Sequence, residues 1–279
     1  MNFLGVLSGI SAALVWGGAD FSGGIAARKQ NQFQVLISTG ISGLIILVTA
    51  TLIRGEGMLD LASICWAAVA GLCGSFGIAA LYRGLSMGNT VGVAPVAAVI
   101  STGLPVIYSL IFEGSPKLTQ FIGFALALVG IWLTSGADSL KLGGKAKESF
   151  ILAFIAGMGF SGFFILIGQV EPGKIFSPLV VSRSMTLIVA ICMIYFQRIS
   201  MPSIFSNPIA LFAGALDAGG NVFYMLAIQY TRLDVAVVLS SLCPAFTVIL
   251  AALILKEKLS SLHWLGVVIC LLAAALIAI

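Results

Sequence analysis

Four charged side chains fall inside stretches that are otherwise apolar: Asp20, Arg83, Arg183 and Asp217. A charge at the centre of a bilayer costs from about 2.5 to more than 10 kcal/mol, so such a residue faces a partner or a wet cavity. Asp20 sits in Trp16-Gly-Gly-Ala-Asp-Phe-Ser-Gly-Gly24, where four glycines in nine residues make the segment easy to bend or unwind. Trp16 lies one turn earlier on the same face. Asn221 and Tyr224 follow Asp217 at i+4 and i+7 and extend one polar stripe along a helix. At 1.5 Å per residue the two carboxylates lie roughly 10 and 14 Å from the same side, nearly at one level. Two such acids would share a proton or cation load, since a second carboxylate is costly beside the first. Ser75, Tyr82 and Arg83 belong to a third stretch. Arg83, about 6 Å deep, reads either as a snorkelling interfacial arginine or as a salt-bridge partner of Asp20. Asp217 could instead be a structural carboxyl bonded to that third helix. Arg183 enters from the opposite side and reads as a poor partner for either acid, suited to an interfacial carbonyl, a headgroup or a gate. The candidate substrate-binding set is therefore Trp16, Asp20, Ser75, Tyr82, Arg83, Asp217, Asn221 and Tyr224.

Other residue types carry weaker signals. Pro95, Pro105 and Pro244 remove backbone donors and invite kinks, and the hydroxyl pairs Ser101-Thr102 and Ser240-Ser241 lie near them. Such hydroxyls either line a pathway or heal their own helix. His263, the only histidine, reads as an interfacial anchor beside Trp264. Cys65, Cys73, Cys192, Cys243 and Cys270 lie in apolar segments without metal-ligand spacing and read as small core residues. No His-Glu-x-x-His, aspartate-rich diphosphate motif, Gly-x-Gly-Asp, P-loop or cofactor fingerprint is present, so neither an enzyme, a metal nor a cofactor is expected. Ring charges and filter-like sequences of a channel are missing as well. An acid dyad of Asp20 and Asp217 is the one enzymatic alternative.

The elements that must position these residues are membrane helices. The chain is 60% hydrophobic and 9% charged, whereas a soluble domain carries about 25% charged residues. Ten stretches reach the roughly 20 apolar residues that a bilayer requires: 3–27, 33–53, 62–87, 91–112, 118–137, 149–170, 177–197, 208–230, 233–255 and 261–279. The first lacks a basic n-region and is expected to be retained as a helix rather than cleaved. The polar segment 140–148 divides the chain into halves, 1–139 and 149–279, of five helices each. Gly71, Tyr82, Pro105, Glu113 and Gly123 fall in order on Gly214, Tyr224, Pro244, Glu257 and Gly266. Five crossings are an odd number, so the second half enters upside down, with a site between the halves near mid-membrane. The expected cavity is lined by helices 1, 3, 4, 6, 8 and 9, with helices 2, 5, 7 and 10 peripheral. Loops on the side reached after helix 1 hold eight Lys and Arg and the opposite loops four, which places the first side in the cytoplasm and both termini outside. The net charge of +4 is scattered through short loops and is not a nucleic-acid footprint.

The Trp16-Gly17 pair, Arg183, and Leu255-Lys-Glu-Lys-Leu-Ser260 followed by Gly266, on this duplicated plan, resemble the EamA branch of the drug/metabolite transporter superfamily over essentially the whole chain. The first half departs from the pattern, with Ser38 where Arg183 has its counterpart. The resemblance implies an all-α, ten-helix carrier in the cell membrane for amino acids, nucleotide-sugars, drugs or other metabolites. Expected partners are a small-molecule substrate, the lipid bilayer and a coupling proton, with the chain as a monomer or homodimer. A secondary transporter or facilitator is the expected function, with a uniporter or channel lacking ion coupling as alternative.

Overall fold

A helix lets an apolar stretch satisfy its backbone internally, the only solution besides a closed barrel that lipid permits. The structure, a computed structural model, describes residues 2–86, 90–134, 146–203, 206–256 and 260–278; the side chains of 82–86, 90–95, 146–147, 149 and 248 lie outside the description. The helices are α1 (Phe3–Ala27), α2 (Gln32–Arg54), α3 (Leu61–Ser86), α4 (Thr90–Phe112), α5 (Leu118–Thr134), α6 (Ala146–Ile167), α7 (Phe176–Gln197), α8 (Pro208–Tyr230), α9 (Leu233–Ser240), α10 (Cys243–Ile254) and α11 (Ser261–Ala278). α9 and α10 are two halves of the ninth crossing, Leu233–Ile254, so the chain crosses ten times. Eight crossings are long and apolar enough by themselves; the described apolar stretches Val96–Phe112 and Leu118–Thr134 are shorter. Most of the linker 140–148 lies outside the described residues.

The packing pattern carries the two-fold symmetry. α1 packs most extensively on α8 and α3 on α6, and exchanging the two halves converts one pair into the other. α2 packs on α7 and α5 on α11, pairs that map onto themselves. This is the inverted arrangement of two five-helix repeats. Two small-residue faces let α3 and α6 meet: a Cβ on Gly159 would lie 2.7 Å from the Cys73 carbonyl and from the backbone of Gly77. Lipid offers no hydrophobic drive between helices, so close backbone packing of this kind holds them together.

The turns α1–α2 and α7–α8 lie on one side, here called the linker face. The turns α2–α3, α4–α5, α6–α7 and α8–α9 lie on the other, the terminal face. On the linker face Asn207 donates to the Ala26 carbonyl at 3.1 Å and Gln34 to the Ser200 carbonyl at 2.8 Å, tying those two turns together. On the terminal face the Glu56 carboxylate accepts from the N–H groups of Ile175, Phe176 and Ser177 at 2.8–3.2 Å and from the Ser177 hydroxyl at 2.9 Å. α7 has no side-chain cap of its own, so a glutamate from the other repeat satisfies its orphan donors. Burial alone would push the Glu56 carboxyl up; the hydrogen bonds from Ser177, Ile175 and Phe176 outweigh it and hold the group below its ordinary value.

α1 runs unbroken through its glycine-rich stretch, so the ease of bending that its four glycines confer is not used there. The ninth crossing is the one that breaks, ahead of Pro244, whereas α4 passes Pro105 as a single helix.

Candidate functional site

A cavity of about 610 Å³ lies between the repeats. Trp16 and Asp20 reach it from α1, and Asp217 and Asn221 from α8. It extends to Ala27, Val35 and Thr134 at the linker-face ends of α1, α2 and α5. Towards the terminal face it is floored by aromatics. The rings of Trp16 and Phe164 are 5.9 Å apart, Phe164 and Tyr224 5.0 Å, and Trp16 and Tyr224 5.9 Å. Gly220 is required here, because a Cβ on it would lie 2.4 Å from the Trp16 ring.

The two intramembrane acids have separate surroundings. Asp20 is exposed to the cavity, with the Cys243 thiol beside its carboxylate. Among the described residues no lysine or arginine forms an ion pair with it. Asp217 is salt-bridged to Arg183, whose guanidinium donates to its carboxylate. This corrects the expectation that Arg183 is a poor partner. The two backbones differ in depth, and a guanidinium on a three-carbon stem spans the remaining ångströms. Asn221 donates to the Asp217 carbonyl at 2.6 Å, spending its amide on its own helix.

Two other candidates are placed away from the cavity wall. Ser75 is buried between α3 and α7, donating to the Gly71 carbonyl at 2.6 Å and meeting the Thr186 hydroxyl at 3.3 Å. Tyr224 is fully buried beneath the aromatic floor and donates to the Phe164 carbonyl at 3.1 Å. Each was expected to face the cavity, and each instead spends its hydroxyl on a neighbouring backbone. The side chains of Tyr82 and Arg83 lie outside the described residues.

The list of lining helices also needs correction. α5 reaches the lining only through Thr134 at its end, whereas α2 contributes Thr39 and Leu47, and α7 contributes Ser182, Arg183 and Thr186, so helices 2 and 7 are not peripheral. They pack on each other across the two-fold axis, which puts them beside the space that the axis passes through. Cys243, read from the sequence as an ordinary core residue, lines the cavity because the break in the ninth crossing turns it there. Ser101 and Thr102 line it too, with both hydroxyls donating to the Ala98 carbonyl at 2.9 Å. His263 contacts Ser260 at 2.8 Å at the start of α11, outside the cavity lining. No group of three or more His, Cys, Asp or Glu among the described residues could hold a metal.

On the terminal face a polar network crosses between the repeats. Arg232 donates to the carbonyls of Glu113 at 3.1 Å and Gly114 at 2.6 Å and pairs with Asp234 at 2.8 Å. Glu113 accepts from the Leu233 N–H at 3.2 Å and from the Ser109 hydroxyl at 2.6 Å. The hydrogen bonds to Asp234 raise the Arg232 guanidinium further above its already high value.

A duplicated bundle with a charged, aromatic-floored cavity between its halves has the architecture of a secondary transporter. The model of the "EamA-like transporter family" matches residues 3–136 and again 148–279. The chain belongs to that family and is a multi-pass membrane transporter of the drug/metabolite type. A solved structure described as "Crystal structure of protein" is similar over 98% of this chain and 96% of its own, with a TM-score of 0.74 and 18% identity, which supports the fold alone. None of the curated proteins matches the sequence.

Proposed function

We propose that this chain moves a small, positively charged, amphipathic metabolite or drug-like molecule by alternating access, in exchange for a proton carried on Asp20. The observation that carries this reading is the asymmetry between the acids. Asp217 is neutralised by Arg183, while Asp20 faces the cavity with no cationic partner among the described residues. A carboxylate so placed binds either a proton or a cation, and that competition is sufficient for exchange. The earlier expectation that both acids share the load is replaced by a single carrier, with Asp217 holding Arg183 in place. A volume of about 610 Å³ suits a drug-sized molecule. The Trp16 and Phe164 faces add cation–π attraction. Trp16, Asp20 and Asn221 are the proposed contact residues.

Separate partners for Asp20 and Asp217 count against an acid dyad and hence against an intramembrane enzyme. Both repeats line one cavity, so a single chain suffices for transport. The basic-residue bias supports a cell-membrane orientation with the linker face in the cytoplasm.

The test uses purified protein in proteoliposomes, with ethidium as a fluorescent aromatic cation and an imposed pH gradient. Wild-type protein is expected to drive ethidium against its gradient when protons flow the other way, and Asp20→Asn to lose this while folding normally. Exchange by Asp20→Asn with unchanged pH dependence would remove Asp20 from the mechanism.

A further inference from the structure

The ninth crossing breaks at the level of the cavity. α9 ends at Ser240 and α10 begins at Cys243, with Pro244 in its first turn. In a continuous helix the Ser240 carbonyl would accept from the N–H of residue 244, and proline has none. The Ser241 carbonyl would accept from Ala245, whose N–H donates to the Leu242 carbonyl at 3.0 Å instead. Among the described residues neither carbonyl receives a backbone donor across the break. The Ser240 hydroxyl is spent on the Ala236 carbonyl at 2.7 Å, while the Ser241 hydroxyl has no hydrogen-bond partner among the described residues. Ser240 is fully buried and Ser241 9% exposed, and both line the cavity. Buried backbone oxygens are rarely left unsatisfied, so something must complete them.

The surroundings define what that is. The carbonyl end of a helix is the negative end of its dipole, and the Asp20 carboxylate, which has no cationic partner among the described residues, adds a full negative charge. α1 is pinned to the break by the Cys243 contact to Asp20 and by the Thr247 hydroxyl, which donates to the Gly17 carbonyl at 3.1 Å. Hard oxygen donors with one net negative charge suit a monovalent cation, whereas a divalent ion would call for more carboxylates.

We propose that the break is a monovalent-cation subsite, in which the Ser240 and Ser241 carbonyls, the Ser241 hydroxyl and the Asp20 carboxylate hold an alkali-metal ion or the ammonium group of the cargo. The subsite rests on the reading of Asp20 given above and adds to it the backbone of α9. Pro244 is then the residue that keeps the Ser240 carbonyl available.

Purified full-length protein in detergent, at fixed pH and ionic strength, is titrated with sodium, lithium, potassium or methylammonium chloride against choline chloride, and the unfolding temperature is followed. At least one cation is expected to raise it saturably above the choline control. A response to an alkali metal identifies an ion site; a response to methylammonium alone identifies the cargo's ammonium site. Ser241→Ala, and Pro244→Ala, which restores an N–H to Ser240, should each weaken the midpoint by about tenfold, the worth of one charge-assisted contact. Asp20→Asn should abolish the response. Equal midpoints in wild type, Ser241→Ala and Pro244→Ala would overturn the subsite, as would no response to any of the four cations, while ethidium exchange through Asp20 would stand or fall on its own assay. If Pro244→Ala fails to fold, Ser241→Ala alone decides.

Discussion

Arg183 and Asp217 show how much a single pair depends on which partner is left behind. The Arg183 side chain is 10% exposed and that of Asp217 34%. Stranding a buried charge costs about 3–5 kcal/mol, less where water reaches it. Without Arg183, Asp217 still touches the cavity and can take up a proton. Without Asp217, the guanidinium cannot lose its proton and has little contact with the cavity. Asp217→Leu is therefore expected to destabilise the purified protein by about 2–4 kcal/mol and Arg183→Leu by less, with the double variant more stable than Asp217→Leu. Thermal unfolding of the three variants measures this, and a larger loss for Arg183→Leu would reverse the argument. The sequence marked Asp20, Arg183 and Asp217, because an ionisable group in an apolar run is conspicuous, and it passed over Asp234, which is fully buried at the start of α9. It did not reveal their pairing, since pairing depends on side-chain reach and on helix rotation. The same limit hid Ser75 and Tyr224. A hydroxyl's position along a helix says nothing of whether a neighbouring carbonyl already accepts from it.

At the scale of elements, the ten crossings were legible because a bilayer sets their length and composition together. The break in the ninth crossing was half legible: Pro244 signalled a kink, but Pro105 sends the same signal in α4, which remains one helix. What the sequence concealed was the capping of α7. Its first turn has no side-chain cap, and Glu56, in a Gly-Glu-Gly turn more than a hundred residues earlier, supplies one. Removing a helix N-cap costs about 1 kcal/mol. Glu56→Ala should lower stability by about that amount, and Glu56→Gln by nearly as much, because a neutral amide interacts weakly with the positive helix end. The sign with pH follows from the depressed carboxyl. The contribution is fully present above the ordinary glutamate value of 4.5 and is lost as pH falls through the lower folded-state value. Wild-type and Glu56→Ala stabilities measured from pH 7 downward should therefore converge once the pH has fallen below that depressed value, by an amount reduced by the solvent screening of a partly exposed group. A difference that stays constant to the lowest accessible pH would mean that Glu56 acts by packing alone.

The whole molecule is two bodies with a cavity between them. α1, α2 and α8 pack together on one side, and α3, α4, α6 and α7 on the other, with α2 and α7 meeting across the two-fold axis. The terminal face joins these bodies in two layers. Trp16 and Tyr224 of the first press on Phe164 of the second, and above them Arg232, at the end of α8, grips the end of α4 through Glu113 and Gly114. The alternating access proposed above requires that the joined face part, and the polar layer is what an aqueous environment can loosen. Cys243 reports on this, because it is a native thiol on the cavity wall. With Cys65, Cys73, Cys192 and Cys270 replaced by alanine, an impermeant thiol reagent should reach Cys243 from the linker face but not from the terminal face. Lys145→Cys in the same background shows which side of the membrane is the linker face, and labelling from the cytoplasm alone would agree with the bias of basic loops. Arg232→Gln removes the charge that holds Asp234 and two carbonyls at once. It should shift the population towards the opposite opening, and a loss of about 1.4 kcal/mol changes that equilibrium tenfold. Labelling of Cys243 from the terminal side should then rise by up to about that factor, while labelling from the linker side, the face open in the majority state, changes little. If terminal-side labelling of Arg232→Gln stays at the wild-type level, the network does not hold the terminal face closed.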